Sequence, residues 1–388
     1  MKKIVKVLAV TGIRSEYDLL FPIARMMKLD PAFDLKLVLS GAHLSSYHGS
    51  TYKRALEDGF VIADMVDSLF STDRSAQRSK SLGALIQGLT QTVDRESPDL
   101  LLVVGDREES IATALVGNYM GVLVAHVGGG DPVWGNADDP VRMATSKLAN
   151  IHLVTARPYL KNLISIGEDA WRIKFTGTPG LDNIKSEAWR SKAEIMRHFE
   201  MDPVDYVVVI KHPLSSEVGD AYQQMRDALT AISEFCDEHE VFAFCITPNS
   251  DPGSSEILRA YAEVSSDRLI TTQTLPRNLF VNLLRHAKAL AGNSSMGILE
   301  APFYGLPVVN IGNRQQGRLN AGNVRFVGYD RRDIKSALEV AVFDDQYRAR
   351  VAGLQSPYGE GSAAKITVDF LKSIDLNDRR WFVKEKLV

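Results

Sequence analysis

The chain has 388 residues, of which 45% are hydrophobic and 24% are charged, a composition typical of a globular protein with a substantial core. A formal net charge of −3 gives no general attraction to nucleic acid or anionic membranes, so any phosphate must be bound by a few placed groups. No run of about 20 apolar residues is present, which argues against a membrane span.

Two features favour a cytoplasmic protein. The apolar run at 4–10 is followed at once by Arg14 and two acidic residues, without a small-residue cleavage site, so we do not interpret it as a signal peptide. Cys236 and Cys245 have no spacing typical of a disulfide framework or a metal site, and we expect reduced thiols.

Short apolar runs alternate with helical patterns along the chain, which predicts parallel sheets covered by helices. In the first half, helices are predicted over 15–27 and 75–96, with strands at 4–10, 35–39, 100–104, 122–126, 153–155 and 173–176. In the second half, a helix is predicted over 220–239, with strands at 204–210, 241–246, 287–291 and, as the last strong one, 307–311.

Periodicity is weakest between about residues 180 and 205, and the domain boundary is placed there. We therefore expect a first domain at 1–180 and a second at 181–365. In open parallel sheets, ligands bind at the carboxyl ends of the strands, and polar motifs follow strands in both halves. Two doubly wound halves with opposed strand ends predict a cleft between the domains.

The clearest local motif is 292–297, followed by Glu300. A strand end leading into a helix, with the hydroxyls of Ser294 and Ser295, suits a pyrophosphate, and Glu300 suits ribose hydroxyls. The same residues also fit a serine N-cap with Glu300 in a capping box, and spacing alone leaves both interpretations open.

A cluster of basic residues after the next strand favours a phosphate clamp. Arg314 and Arg318 lie in one short loop, and guanidinium groups bind phosphate oxygens bidentately. His212 ends a strand of the second half, where it fits a phosphate contact or a structural role equally. Arg14 fits a phosphate contact or a surface pair with an acidic neighbour such as Asp18.

Acidic residues follow two strands of the first half. Asp106 and Arg107 come directly after one strand, Asp131 follows the glycine loop 128–130, and Asp138 precedes a helix. Carboxylates on neighbouring loops suit general acid–base chemistry, although Asp138 or the next aspartate also fits an N-cap. No ligand spacing matches a zinc site and no phosphate-loop pattern is present, so we expect neither a metal nor a cofactor.

Taken in order, these motifs resemble those of the hydrolysing UDP-N-acetylglucosamine 2-epimerases, which begin sialic-acid and related nonulosonic-acid synthesis. The resemblance covers nearly the whole chain, and its most specific part is Asn-Ser-Ser…Glu with Arg-Gln…Gly-Arg. The matching stretches are 105–107, His126 with its glycine loop, 138–139 with Arg142, 211–213, 292–297 with Glu300, 314–318 and 356–359.

The resemblance implies a GT-B fold, with two Rossmann-like domains, a cleft between them and a C-terminal segment, 366–388, that crosses back to the first domain. It implies no cofactor and a nucleotide-sugar substrate, converted through a 2-acetamidoglycal to free N-acetylmannosamine and UDP. By family pattern, the diphosphate would be held by Ser294, Ser295, Arg314, His212 and Arg14, with Arg318 and Asp18 also in the binding set. Ribose and nucleotide would meet Glu300 and Asn249, and the sugar would be surrounded by Asp106, Arg107, His126 and Asp138.

One departure from the family pattern matters for the chemistry. The family usually carries a catalytic Glu two residues after the histidine of the glycine loop, where this chain has Gly128. The loop is also one residue longer and contains Trp134. We therefore place Asp131 as a candidate replacement carboxylate, and a UDP- or GDP-linked diacetamido-trideoxy sugar stays open as the substrate.

Three other interpretations remain besides the hydrolysing epimerase. They are a non-hydrolysing epimerase that keeps its product on UDP, a GT-B glycosyltransferase that needs an acceptor, and a non-catalytic nucleotide-sugar sensor. A homodimer or higher homo-oligomer is the default expectation for an enzyme of this size.

Overall fold

The computed structural model describes residues 3–47, 49–70, 76–132, 138–248, 253–272 and 275–384. The strands are β1 Val5–Thr11, β2 Phe33–Ser40, β3 Ile62–Val66, β4 Leu100–Val104, β5 Leu123–Val127, β6 Ile151–Val154, β7 Ile173–Phe175, β8 Tyr206–Ile210, β9 Phe242–Ile246, β10 Leu269–Thr272, β11 Leu290–Gly292, β12 Val308–Ile311 and β13 Val324–Val327.

Helices follow most of these strands, as expected for right-handed crossovers between parallel strands. They are α1 Arg14–Leu29, α2 Tyr52–Glu57, α3 Gln77–Glu96, α4 Glu108–Met120, α5 Asp138–Leu148, α6 Leu160–Ser165, α7 Pro179–Ser186, α8 Lys192–His198, α9 Ala221–His239, α10 Ser254–Glu263, α11 Arg277–His286, α12 Met296–Leu299, α13 Arg331–Phe343, α14 Asp345–Ala352 and α15 Ala363–Ser373.

The chain forms two compact units, each with its own parallel sheet. The first comprises 1–183 and 358–388, and its strand order is β3-β2-β1-β4-β5-β6-β7. The second comprises 184–357, and its order is β10-β9-β8-β11-β12-β13. The order reverses between β1 and β4 in the first unit and between β8 and β11 in the second. Doubly wound sheets bind ligands at the carboxyl ends of the strands beside such reversals.

Each sheet is buried on both faces, which explains its continuous apolar strands. In β8, Val207 and Val209 pack into one core cluster, whereas Tyr206, Val208 and Ile210 pack into another. The alternation follows the two-residue period of a strand. Helices therefore cover both faces, and the polar strand ends are left for function.

Strands β3, β10 and β13 were not predicted from the sequence. All three lie at the edges of their sheets. Their residues are mostly half-buried or exposed, and Asp64 and Arg325 interrupt their apolar pattern. An edge strand has one neighbour and one solvated side, so it does not need a continuous apolar run.

The chain returns to the first unit after residue 357, ahead of the position 366 expected from the sequence. Asp182 accepts hydrogen bonds from the backbone N–H groups of Ala363 and Ala364, each at 2.9 Å, at the start of α15. Helix α15 packs on α1, where Lys372 pairs with Asp30 at 2.7 Å. The last described turn is held by Arg172, which donates to the carbonyl of Trp381 at 2.8 Å.

Within the residues described, no helix combines the length and apolar character needed to cross a bilayer. Both cysteines are buried and unbonded to each other. Burial raises the pKa of Cys236 to about 12, so this thiol stays protonated at neutral pH and is unreactive.

Candidate functional site

The loops that follow β1, β4 and β5 hold the candidate catalytic residues of the first unit. Strand β4 pairs with β1 on one side and with β5 on the other, all parallel. The three loops therefore emerge at the same edge of the sheet, beside the reversal of strand order. This common edge brings together residues that are far apart in sequence.

Arg142, on α5, joins two of the predicted carboxylates. Its guanidinium donates to Asp106 Oδ2 and, at 2.9 Å, to the Gly128 carbonyl, and its Nη1 lies 3.6 Å from Asp131 Oδ2. Asp131 Oδ2 also accepts a hydrogen bond from Thr155 Oγ1 at 2.6 Å. Burial disfavours the charge on Arg142, but Asp106 and Asp131 outweigh it and raise the pKa of this arginine. We call Asp106, Arg142 and Asp131 the ion-pair cluster.

Gly128 lies against this cluster. Its φ is +80°, and a Cβ built on it would lie 3.4 Å from Arg142 Nη1 and 3.8 Å from Asp131 Oδ2. A side chain at position 128 would therefore extend into the space beside the Asp131 carboxylate. Asp131 is thus placed where it can supply a carboxylate that position 128 does not carry.

His126 is fully buried and both of its ring nitrogens have protein partners. Nε2 lies 2.7 Å from the Gly105 carbonyl, so it donates, and Nδ1 accepts from Ser146 Oγ at 3.2 Å. Burial lowers the pKa of His126 to about 3, which keeps the ring neutral. The ring links β5 to the Gly105 turn and to α5, and this geometry favours positioning of the loops over proton transfer.

Asp138 lies at the start of α5 but outside the hydrogen bonds of the ion-pair cluster. It accepts a hydrogen bond from Arg78 Nη2 at 3.1 Å, and Arg78 also pairs with Glu108. These contacts connect α3, α4 and α5. The carboxylate of Asp138 is partly exposed, so it stays accessible to a ligand.

The two basic candidates of the first unit, Arg14 and Arg107, lie near acidic side chains. Arg14 Nε lies 3.8 Å from Asp18 Oδ2, and Asp18 Oδ1 also accepts from Arg54 at 2.7 Å. Of the two interpretations left open for Arg14, the structure shows the pair with Asp18. Arg107 begins α4 with its side chain 40% exposed, and Glu16 and Glu109 raise its pKa against the effect of burial.

In the second unit, three loops meet at Asn293. The side chain of Asn293 accepts from the His212 N–H at 2.7 Å and donates to the His212 carbonyl at 2.8 Å. The Asn293 carbonyl accepts from Arg314 Nη1 at 3.2 Å and from Gln315 Nε2 at 3.1 Å. The loops after β8, β11 and β12 are therefore tied together, and Arg318 joins them by donating to Gln315 Oε1 at 2.9 Å.

The two serines of the 292–297 motif lie between β11 and α12. Ser295 occupies the N-cap position without a side-chain cap hydrogen bond, so the capping-box interpretation is wrong for this helix. Ser294 Oγ instead accepts from the Met296 N–H at 3.4 Å. Glu300 directly follows α12, near these hydroxyls in sequence, and Asn249 lies outside the described residues.

Several residues of the site were not predicted from the sequence. Asn293 lies within the 292–297 motif, but the sequence does not predict its hydrogen bonds to the loops after β8 and β12. Thr155 follows β6 and donates a hydrogen bond to Asp131. Its position at a strand end is the one sequence feature that could have indicated a place in the site. Among the described residues, no group of His, Cys, Asp and Glu side chains is arranged to hold a metal ion.

The family model described as UDP-N-acetylglucosamine 2-epimerase matches residues 25–372. The chain belongs to this family. A UDP-N-acetylglucosamine 2-epimerase of Neisseria meningitidis serogroup B is 30% identical over 87% of both chains. A UDP-N,N′-diacetylbacillosamine 2-epimerase (hydrolyzing) of Legionella pneumophila is 29% identical over 96% of this chain and 97% of the relative.

Solved structures confirm the fold of this family member. A UDP-GlcNAc 2-epimerase from Neisseria meningitidis bound to UDP-GlcNAc has a TM-score of 0.81 at 19% identity, covering 95% of this chain and 100% of that one. The S. aureus MnaA–UDP co-structure has a TM-score of 0.80 at 19% identity, covering 99% of each chain. The predicted class, α/β with two Rossmann-like units as in GT-B proteins, is therefore correct.

Proposed function

We propose that this protein is a hydrolysing UDP-N-acetylglucosamine 2-epimerase of the cytoplasm. It converts UDP-N-acetylglucosamine and water to N-acetylmannosamine and UDP through a 2-acetamidoglycal. The name of one relative supports hydrolysis: the Legionella relative, named as hydrolyzing, is 29% identical over 96% of this chain.

The single observation that carries the proposal is the ion-pair cluster of Asp106, Arg142 and Asp131. Elimination across C1 and C2 needs a base beside C2, and a charged carboxylate is a suitable base. The family Glu is replaced by Gly128, but the Asp131 carboxylate lies 3.8 Å from the Cβ position of that residue. The chain therefore retains two carboxylates for proton removal at C2 and activation of water at C1.

The second unit would bind the departing UDP. Breaking the C1–O bond develops negative charge on the diphosphate, and hydroxyl and guanidinium donors stabilise such charge. Ser294, Ser295, His212, Arg314 and Arg318 are assigned to this role. Glu300 is assigned to the ribose, by its position after α12.

Proton NMR in deuterium oxide with UDP-N-acetylglucosamine tests the proposal. Free UDP together with N-acetylmannosamine deuterated at C2 is the expected result. A product that stays on UDP would identify a non-hydrolysing epimerase. Binding of UDP without turnover of this sugar would contradict the proposed substrate. The remaining interpretations would then be a diacetamido-trideoxy substrate or a non-catalytic nucleotide-sugar sensor.

A second candidate substrate is a UDP-linked diacetamido-trideoxy sugar. It is favoured by the Legionella relative, which is named for UDP-N,N′-diacetylbacillosamine and matches more of the chain than the Neisseria relative does. Comparison of kcat/KM for the two UDP-sugars decides between them. A higher value for the diacetamido sugar would replace the first candidate.

We also propose a homo-oligomer, with a dimer as the simplest closed arrangement. Sedimentation velocity of the full-length protein tests this proposal. A single species with the mass of one chain would contradict it.

A further inference from the structure

Two buried glutamates, Glu16 and Glu109, form a carboxyl pair that the proposed function leaves without a role. Glu16 lies in the first turn of α1 and Glu109 in the first turn of α4. These helices follow β1 and β4, the neighbouring strands at which the strand order reverses. Each residue is only 6% exposed. The carboxyl pair therefore lies beneath the same edge of the sheet as Asp106.

Gly12 separates the two carboxyl groups. Its backbone N–H donates to Glu16 Oε2 at 3.4 Å. A Cβ on Gly12 would lie 1.8 Å from Glu109 Oε1, an overlap that any other residue would have to relieve. Glu109 Oε1 also accepts from Ser40 Oγ at 3.3 Å. The glycine of the first strand-to-helix turn thus leaves room for a carboxyl group.

The second oxygen of Glu16 lies beside the Gly105 turn. Within the described part of the chain, Glu16 Oε1 is buried and has no hydrogen-bond partner. It lies 3.6 Å from the position that a Cβ on Gly105 would occupy. Gly105 directly precedes Asp106, so the open oxygen points at the turn that carries the proposed base.

The charges around the pair favour retention of a proton. Burial raises the pKa of both glutamates, and Glu109 further raises the pKa of Glu16. Arg107 lowers the pKa of both glutamates against the effect of burial. Asp106 adds to the rise in the pKa of Glu16, and Glu108 adds to the rise in the pKa of Glu109. Two close carboxyl groups that share one cation do not both ionise readily.

Epimerisation at C2 creates a need for such a proton. A base removes the C2 proton from one face of the sugar, and a proton must return on the other face. The ion-pair cluster holds Asp106 and Asp131 on one guanidinium, and the proposed function assigns both as proton acceptors. A separate neutral carboxyl group is the appropriate donor for the return step.

We propose that Glu16 is the catalytic acid of this step and shares its proton with Glu109. As the oxygen of water bonds to C1 of the glycal, the C1–C2 double bond takes the Glu16 proton at C2, and the water proton passes to Asp131. Solvent then restores the proton of Glu16 and takes the C2 proton from Asp106 and the water proton from Asp131. This inference rests on the proposed function.

The first test is Glu16→Gln in the full-length protein with UDP-N-acetylglucosamine. Loss of the acid slows hydration by about 10²- to 10⁴-fold, the range for general acid catalysis. Elimination still releases UDP, but the glycal is hydrated to free sugar more slowly. The glycal therefore accumulates, and its C1 vinyl proton becomes visible by NMR. UDP affinity by calorimetry stays unchanged. The exposed Glu57→Gln is the control and keeps wild-type rates.

The second test is Glu109→Gln, which decides the matter if Glu16→Gln does not fold. Removal of the neighbouring negative charge lets Glu16 ionise at lower pH. The alkaline limb of the kcat profile therefore moves to lower pH. An unmoved limb, or wild-type turnover in Glu16→Gln, overturns the proposal.

Failure of the proposed function is recognisable separately in the wild-type protein. If the wild type gives a product that stays on UDP, hydrolysis is wrong, but protonation at the second face of C2 is still required. Glu16→Gln should then exchange the C2 proton with deuterium oxide while losing the epimerised product. Unaltered formation of that product would overturn the role of Glu16.

Discussion

At the scale of single residues, Arg142 determines how the acidic loops are arranged. It binds Asp106, lies 3.6 Å from Asp131 and donates to the Gly128 carbonyl at 2.9 Å. One side chain from α5 therefore fixes residues from the loops after β4 and β5. Because a guanidinium has five donors in a planar fork, it can hold two carboxylates and a carbonyl at once.

Replacing Asp106 by Asn should remove turnover while leaving UDP binding nearly intact. The amide keeps the shape and a contact to Arg142 but cannot accept the C2 proton. We expect a loss of kcat of at least about 10²-fold, measured by NMR with UDP-N-acetylglucosamine, and an unchanged dissociation constant for UDP. Asp94→Asn, at an exposed position of α3, is the matched control. Wild-type kcat in the Asp106 variant would exclude its role as the base.

Replacing Arg314 by Ala should weaken UDP binding. The side chain ends at the junction of three loops, where it contacts the Asn293 carbonyl, and the proposed function assigns it to the diphosphate. Loss of a hydrogen bond from a charged group lowers the binding free energy by about 1–3 kcal/mol. Calorimetry with UDP measures the change, and the exposed Arg332→Ala serves as the control. Equal dissociation constants for Arg314→Ala and the wild type would remove Arg314 from the site.

At the scale of elements, the sequence predicts the central strands better than the four edge strands, of which it predicts β7 alone. Strands β4 and β8 are buried on both faces, so each is a continuous apolar run that can be read directly. The edge strands β3 and β13 carry Asp64 and Arg325, and their apolar pattern is too weak to separate them from loops. Burial on both faces thus explains why the central strands can be predicted.

The candidate site shows a similar limit. Strand ends indicate where Asp106, Asp131 and His212 lie, because loops after parallel strands share one edge of a sheet. They do not indicate which side chains meet. The tie at Asn293 and the overlap between Glu109 and the Cβ position of Gly12 depend on contacts between loops distant in sequence. Such contacts become visible only in the folded chain.

The C-terminal turn at Arg379–Trp381 depends on one buried guanidinium. Arg172 is fully buried and donates to the carbonyls of Trp381 at 2.8 Å and Val383 at 2.6 Å, and also to that of Arg380. A buried acceptor that loses its donor destabilises a protein by about 1–3 kcal/mol. We expect a loss of this order for Arg172→Met.

Urea unfolding of the full-length protein measures the effect of Arg172→Met. The matched control is Arg380→Ala, because the Arg380 side chain is 78% exposed and pairs with Asp378 within the same turn. The control should unfold at the wild-type midpoint. If Arg172→Met also unfolds at that midpoint, the buried hydrogen bonds do not hold the C-terminal turn.

At the scale of the whole molecule, buried histidines make stability depend on pH. Burial lowers the pKa of His126 to about 3 and that of His43 to about 4, and it also lowers the pKa of His152. These rings are charged in the unfolded chain below its ordinary histidine pKa of about 6.5 but stay neutral in the folded protein. Acidification therefore adds protons to the unfolded state first and lowers the free energy of unfolding.

Replacing His43 by Gln isolates this effect. His43 lies between the hydroxyls of Thr11 and Thr51, at 3.1 and 2.7 Å, and an amide can bond to both. Between about pH 6.5 and pH 4, one buried histidine contributes a slope of up to about 1.4 kcal/mol per pH unit. The variant should lose this slope. Glu16 and Glu109 contribute in the opposite direction, because their raised pKa values make the folded state bind protons, and subtracting the variant from the wild type cancels that contribution.

Urea unfolding at several pH values measures the difference, with the exposed His198→Gln as the control. A stability difference that does not vary with pH would show that His43 takes no part in the acid sensitivity of the protein.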